Sequence, residues 1–478
     1  MTTLSRGWLH LASGASVGRI FGFFSNLLLS RFLGPTDLGL FNLITTTVQT
    51  SDTLARCGGD YALNYELGGE PESVKTDRGT ELAQALVQLC SISTLLICIG
   101  LVIWVWCGHG LFPSSATTTH RYLLTALLVL MIMFEGSSAS AWEILLVSHR
   151  TAQLSFKQGL FLPLRLMSAA IGGLLGSVLG AMGCWSLVAF LQYIWLKSIL
   201  RDLWRPLNFW PLLGPSLFLL LKRGLPFYGV NLLSSMIFYP LLLIVASASG
   251  LSEVGYLRAG QILQQLFALV PATLVPVLFL KLRTESSFTA QISMIERPFR
   301  IIWFLLLELL LLYCSIDQTL IVWLFGTSFV SALLPTRLLL LTALFECLAQ
   351  LVVQPLLAAG KTGKYGLWQN GAALIAALLG WLWIPVSGLA AYLVVRFLYV
   401  TIPLIGFGVP LVHMLRDPLK LLPLTLVSIG LLAFFLGQSI LDVSLALQPS
   451  FFLSVSITLL FLQRNELSYI RNILKSES

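Results

Sequence analysis

Charge is what this chain has least of. Lys, Arg, Asp and Glu together make up 10% of its 478 residues, against about 25% in a soluble domain. Hydrophobic residues make up 57%, more than a water-soluble core can bury, so soluble classes are excluded. Side chains for metal or redox chemistry are also sparse. The seven cysteines (Cys57, Cys90, Cys98, Cys107, Cys184, Cys314 and Cys347) are scattered, mostly in apolar stretches and without metal-ligand spacing, and read as small buried hydrophobes. The five histidines form no cluster. A single stretch, AAGKTGKYG at 358 to 366, looks like a phosphate-binding loop, but Pro355 stands where its first glycine is required. It also joins two apolar runs rather than a strand and a helix.

What the chain does have is apolar runs of about 20 residues, the length that crosses a hydrocarbon core of roughly 30 Å. Fourteen follow one another, at 8 to 33, 38 to 57, 82 to 107, 122 to 148, 157 to 180, 182 to 200, 224 to 247, 254 to 280, 299 to 324, 334 to 358, 365 to 384, 388 to 410, 420 to 437 and 444 to 463. They are too long and continuous for barrel strands, so the expected fold is all-α: a polytopic membrane protein with about 14 transmembrane helices. The first run is too long, and too closely followed by the second, to be a cleaved signal peptide.

Loop charge sets the orientation, because cytoplasmic loops hold the excess of Lys and Arg. With the N-terminus inside, 22 of the 29 basic residues fall in cytoplasmic segments. Four (Arg31, Arg121, Arg258 and Arg337) lie at outer ends, and three (Arg19, Arg165 and Arg396) lie within spans. Both termini are therefore expected in the cytoplasm. The net charge of +8 follows from this orientation and from contact with anionic lipid heads, not from nucleic-acid binding. The longest outer loop, about residues 108 to 121, has only His109, His120 and Arg121 as basic or titratable groups. A membrane enzyme acting on lipid-linked sugars needs more than that, so no enzyme, cofactor or metal is expected.

The chain also repeats. SRFLGPTDLGLF at 30 to 41 matches SASGLSEVGYL at 247 to 257 when Gly34 is set on Gly250, a spacing of 216 that also pairs Asp37 with Glu253. MFEGSSASAWEILLVSHRT at 133 to 151 matches LFECLAQLVVQPLLAAGKT at 344 to 362 at a spacing of 211, pairing Glu135 with Glu346 and Arg150 with Lys361. A third pairing sets Gly183 on Gly388 at 205. Together they carry spans 1 to 6 onto spans 7 to 12 in the same orientation, a parallel repeat about an axis along the membrane normal. The expected organisation is an N-terminal lobe at 1 to 205, a C-terminal lobe at 206 to 412, and two extra helices with a tail at 413 to 478.

Polar residues inside the spans are the candidate site. In the first span Ala12, Ser16, Arg19, Asn26 and Ser30 form one stripe, and Gly14, Gly18 and Gly22 a neighbouring track suited to close helix contact. Arg19, Arg165 and Arg396 lie roughly 12 to 17 Å deep at about 1.5 Å per residue. Each would cost on the order of 2.5 to 3.5 kcal/mol facing lipid, so all three are expected to face the interior. There they either pair with Glu135, Glu143, Glu308 or Glu346, or form a cationic site for a phosphorylated or acidic substrate. Glu135 and Glu346 are either ion-paired or protonated helix glue, or a coupling or gating pair. Glu346, Gln350 and Gln354 continue as a polar track at i, i+4, i+8.

SRFLGPTDLGLF, GLPFYGVNLLSSMIFYPLLLIVASASGLSEVGYLRAGQIL with LVPATLVPVLF, and LFGTSFVSALLP resemble the recurrent segments of the polysaccharide transporter branch of the multidrug, oligosaccharidyl-lipid and polysaccharide (MOP) exporter superfamily. The resemblance covers about residues 5 to 465. It implies two six-helix lobes, often with two extra helices, that flip polyprenyl-diphosphate-linked oligosaccharide across a bacterial inner membrane by alternating access for polysaccharide biosynthesis. By the same resemblance Arg19 belongs to a cationic lumen that takes the diphosphate, while no comparable motif supports Arg165 or Arg396. The implied partners are the lipid-linked substrate, membrane lipids and a polysaccharide polymerase or assembly machinery. A multidrug or small-cation exporter of the same fold is the alternative within transporters, and interior arginines are unsuited to a cationic drug. A membrane enzyme or assembly subunit of the same pathway is the alternative outside them. LARCGGDYALNYELGGEPES at 54 to 73 departs from the family pattern in the acidic stretch after Gly58 and Gly59.

Overall fold

The computed structural model describes residues 3–67, 76–107, 118–148, 150–201, 214–283, 285, 287–359, 362–412, 422–441, 455–460 and 463. The described residues are helical, without strands: α1 (Thr3–Arg56), α2 (Gly59–Leu67), α3 (Asp77–Trp106), α4 (Thr118–Val147), α5 (Thr151–Phe156) with a π turn at Lys157–Phe161, α6 (Leu162–Ile199), α7 (Pro215–Ser249), α8 (Leu251–Arg283), α9 (Phe288–Phe325) with a 3-10 turn at Thr327–Ala332, α10 (Leu333–Val352), α11 (Gln354–Ala358), α12 (Thr362–Val412) and α13 (Leu422–Leu441). Of the last expected run, 444 to 463, only residues 455–460 and 463 are among the described residues. The chain forms two compact units, Met1–Leu243 and Ile244–Ser478, which divide within α7.

Helix length explains the breaks. At 1.5 Å per residue the 54 residues of α1 and the 51 of α12 would run about 75 to 80 Å, far beyond a core of roughly 30 Å. Each is interrupted, α1 at Gly34 (φ 69°, ψ 178°) and α12 at Gly388 (φ 56°, ψ −132°). The break in α6 falls at Gly176 and Ser177, the latter at φ 57°. Gly250 at φ 94° separates α7 from α8. Positive φ is where glycine is needed, and Gly34, followed by Pro35 in SRFLGPTDLGLF, and its counterpart Gly250 both take it.

The breaks in α6 and α12 are hairpins. Ser168 Oγ donates to the Cys184 carbonyl at 3.3 Å, and a Cβ on Gly172 would meet the Gly180 carbonyl oxygen at 2.2 Å. In α12, Gln369 Nε2 donates to Tyr399 Oη, and a Cβ on Gly406 would strike the Trp368 ring at 2.4 Å. Each unit also ties its two reversals together: Ser177 Oγ donates to Asp37 in the first, and Ser249 Oγ lies 2.0 Å from the Cβ position of Gly388 in the second. The equivalent of Gly388 is therefore Ser177 rather than Gly183, which sits in unbroken helix. The spacing becomes 211, the one that pairs Glu135 with Glu346.

By length and composition the protein is multi-pass, with six of the described helices apolar enough to cross a membrane. Their exposed faces are apolar: on α9, Leu305, Leu309, Leu312 and Ile316 follow at helical spacing, 41 to 56% exposed. In a membrane this stripe meets acyl chains. Among the described spans of its unit α10 is the most interior, with 78% of its span buried against 56% for α9 and 39% for α12.

The departure at 54 to 73 is, in its described part, a cap. Ala62, Leu63 and Leu67 of α2 enter a core with Leu82, Leu86, Ile144 and Leu196. Arg56 bonds Asp52 at 2.5 Å and lies 3.7 Å from Asp60. Glu66 holds both Arg78 (3.1 Å) and Arg223 (2.9 Å), and Gly224 is so close to the Gly58 carbonyl that a Cβ would sit 2.3 Å from it. The cap therefore fastens the start of α7. Burial is the main influence on the Asp60 carboxyl and lifts it above the ordinary carboxylate range, against the pull of Arg56.

The hairpin geometry is testable. Gly388→Val introduces a branched Cβ at positive φ and into Ser249, and the expected loss is on the order of 1 to 3 kcal/mol from overpacking, with backbone strain in addition. Gly183→Ala meets nothing within 4 Å and is expected to keep the wild-type melting temperature in detergent. Equal melting temperatures for the two variants would refute the assignment of the break.

Candidate functional site

The paired carboxylates Glu135 and Glu346 occupy equivalent places on α4 and α10, yet their surroundings differ. In the first unit Arg165, from α6, bonds Glu135 directly, with its guanidinium 5.5 Å from the centre of the Trp185 ring. Both side chains are largely enclosed, at 13 and 16% exposure. Trp185 occupies the position that the 211 spacing matches to Arg396. The second unit therefore draws its cation from the other arm of its hairpin.

There, Glu346 has no direct basic partner among the described residues. Gln264 of α8, itself buried, donates from Nε2 to Glu346 at 3.3 Å, and its Oε1 lies 3.5 Å from Arg396 Nη2. One amide thus links an acid and a base from two other helices. Beside Glu346 opens a cavity of about 200 Å³, lined by Gln350 and Val353 below it and by Gln369, Tyr399 and Phe407 of the two α12 arms.

The first-span stripe divides. Asn26 and Ser30 are buried and donate to backbone carbonyls of their own helix, at Gly22 (3.0 Å) and Asn26 (2.7 Å). The glycine track is a packing face: a Cβ on Gly18 would lie 2.3 Å from the Gln158 carbonyl oxygen in the π turn, and one on Gly22 would be 3.2 Å from Leu166. Arg19 is exposed, without a side-chain ion pair among the described residues. Ala12, Gly14 and Ser16 have side chains outside the description.

Of the sequence candidates, the structure joins Arg165 to Glu135 and links Arg396 to Glu346 through an amide. It leaves Arg19 exposed and turns Asn26 into its own helix. Gln264, Gln369, Tyr399 and Trp185 were not singled out by sequence. Gln264 had a signal, a polar residue inside an apolar run. Lys157, stacked on Trp142 at 5.5 Å, extends the polar interior of the first unit. Among the described residues no group of three or more His, Cys, Asp and Glu is placed to hold a metal ion.

No family model matches the chain, and no curated protein matches it. Solved structures do. The chain is similar over 97% of its length, and over 99% of the other chain, to the lipid II flippase MurJ in an inward closed conformation, with a TM-score of 0.71 at 14% identity. A multidrug resistance MATE family transporter of the MOP superfamily, in an outward-facing conformation, has the same fold, with a TM-score of 0.54 at 14% identity, over 86% of this chain and 96% of that one. A MOP transporter from Pyrococcus furiosus matches at 0.51 and 15% identity over the same shares.

Proposed function

We propose that the protein is a flippase that carries polyprenyl-diphosphate-linked oligosaccharide across a bacterial inner membrane by alternating access of its two units, with both termini in the cytoplasm. The observation that carries this reading is the extent of the fold likeness. The lipid II flippase aligns over 97% of the chain and the MATE transporter over 86%, so the flippase likeness reaches further along the chain.

Electrostatics points the same way. Arg165 is neutralised by Glu135, and Arg396 is held by Gln264 and by a hydrogen bond with Tyr392. That leaves Arg19 as the exposed mid-span cation on which a diphosphate can dock, since a guanidinium grips phosphate oxygens bidentately. In this reading Arg165 holds a carboxylate, and Arg396 holds a glutamine amide and a tyrosine, rather than substrate, and Asn26 shapes the first helix. Purified protein in liposomes is expected to exchange a lipid-linked sugar between leaflets. Exchange of a cationic drug instead would replace this reading with a multidrug exporter.

The orientation rests on the 22 basic residues assigned to the inside. In a Cys107→Ser background, which removes an exposed native thiol, a cysteine at Ser387 by the α12 reversal is expected to react in intact cells with a membrane-impermeant maleimide. One at Gly363, at the opposite end of the same helix, is expected to react only after lysis. Labelling of Gly363 from outside would invert the topology.

A further inference from the structure

The two carboxylates that the repeat makes equivalent do not do the same work. Glu135 touches a guanidinium, whereas Glu346 touches an amide and a cavity. We propose that Glu346 is a proton-loading site in the C-terminal unit, filled through this cavity, while Glu135 is a fixed member of an ion pair. The proposal rests on the transport reading and assigns its ion-responsive group.

The cavity runs along α10 from Glu346 to Val353, seven residues or about 10 Å. It leads toward the end of α10 that continues into Lys361 and Lys364, the side expected to be cytoplasmic. At about 200 Å³ it has room for several waters, with Gln350, Gln369 and Tyr399 to orient them. One carboxylate among amides and a phenol is a poor seat for a divalent ion, which takes six or more oxygen ligands. A proton needs only Glu346. Hydronium gives its proton to a Glu346 oxygen, an O–H bond forms and a water remains. Release is the reverse, and no electrons move.

The surroundings make that proton consequential. From α8 Glu346 faces Gln264, with Arg258 nearly two turns away. From α12 it has Tyr399 in the shared cavity and Arg396 behind Gln264. On its own helix Cys347 donates to the Phe267 carbonyl. The short α11, the 3-10 turn and α13 carry no charged residue. α9 carries three buried acids, Glu308 bonded by Ser456, Asp317 paired with Arg337, and Glu296, which lies with Arg297 and Arg300 on the stretch that packs by Val353 and Phe407 at the far end of the cavity. Ionised, Glu346 accepts from the Gln264 NH2 while the Gln264 carbonyl faces Arg396. Protonated, Glu346 loses its charge, accepts more weakly from the Gln264 NH2, and carries a new O–H that the cavity or the second lone pair of the Gln264 carbonyl has to accept. The link joining α8, α10 and α12 is weakened at Glu346, which is how one proton can loosen the packing of three helices.

The test is difference infrared spectroscopy of the full-length protein in liposomes between acid and alkaline pH. A protonated-carboxyl signal is expected that disappears in Glu346→Gln, returns in Glu346→Asp, and persists in the charge-neutral double variant Glu135→Gln with Arg165→Met. In Gln264→Leu the signal is expected to remain but shift in frequency, because its hydrogen bond is gone. A signal insensitive to Glu346→Gln, or one lost in the double variant, overturns the assignment. Suppression by sodium against choline at equal ionic strength also overturns it, because a metal ion then displaces the proton. Leaflet exchange measured in the same liposomes separates the two readings. A Glu346 signal without sugar exchange defeats the flippase reading and leaves the site, whereas exchange without the signal does the reverse.

Discussion

Replacing Arg19 with alanine is expected to lower leaflet exchange of a lipid-linked oligosaccharide by about 30-fold to a few thousand-fold. That range follows from the 2 to 5 kcal/mol or so lost when one partner of a desolvated, hydrogen-bonded charge pair is removed, at about 1.4 kcal/mol per tenfold. The first span holds no acid that could neutralise Arg19, and Arg19 is exposed where Arg165 and Arg396 are engaged. Its loss therefore removes a binding charge without leaving a buried counter-ion. The variant should reach the membrane at normal level while the precursor accumulates on the cytoplasmic leaflet. Arg19→Lys is expected to recover part of the rate, because it keeps the charge but loses the planar fork. Polymer export measured beside membrane abundance checks both, and normal export by a well-expressed alanine variant would remove Arg19 from the site.

Much of this architecture is legible in the sequence, because a bilayer imposes a length on every span and glycine marks the reversals. Gly34 and Gly250 could be read as turns, since each interrupts an apolar run beside a polar residue. The reversal inside α6 could not be placed by glycine alone. GGLLGSVLGAMG at 172 to 183 offers five glycines, and the residue that takes positive φ is Ser177. The repeat distance of 211, already present in the Glu135 and Glu346 match, selects Ser177 where composition points to Gly183. The cap α2 escaped notice for another reason. Nine residues with three apolar contacts are too short for a span, and what α2 does depends on Arg78 and Arg223, far along the chain.

The site was half legible on the same grounds. Charged residues in apolar text announce themselves, so Glu135, Arg165, Glu346 and Arg396 were visible. Their partners depend on which helix faces which. Gln264 is uncharged, and only the register of α8 against α10 and α12 gives it one neighbour of each sign. The matched pair of glutamates suggested matched roles, and the repeat is in fact broken at the cation: Trp185 stands where the second unit has Arg396, and Arg165 comes from the other hairpin arm.

That asymmetry predicts opposite responses to the same substitution. Glu135→Gln leaves Arg165 enclosed, beside an indole ring and without its counter-charge. Breaking a buried pair by removing one partner costs about 3 to 5 kcal/mol, a large part of the 5 to 15 kcal/mol or so that holds a folded protein. Folded protein in the membrane should fall sharply, with a lower melting temperature in detergent. Removing the charge on both sides, as Glu135→Gln with Arg165→Met, should restore most of the loss, because an apolar chain of similar length can pack on Trp185 without a desolvated charge. Glu346→Gln should leave abundance near wild type. A glutamine there can still accept from Gln264, and Arg396 keeps both the Gln264 carbonyl and Tyr392. Membrane level and melting temperature of the three variants measure this directly. Equal abundance for the two single variants would mean that the direct contact between Glu135 and Arg165 contributes no more to folding than the amide-bridged link in the other unit.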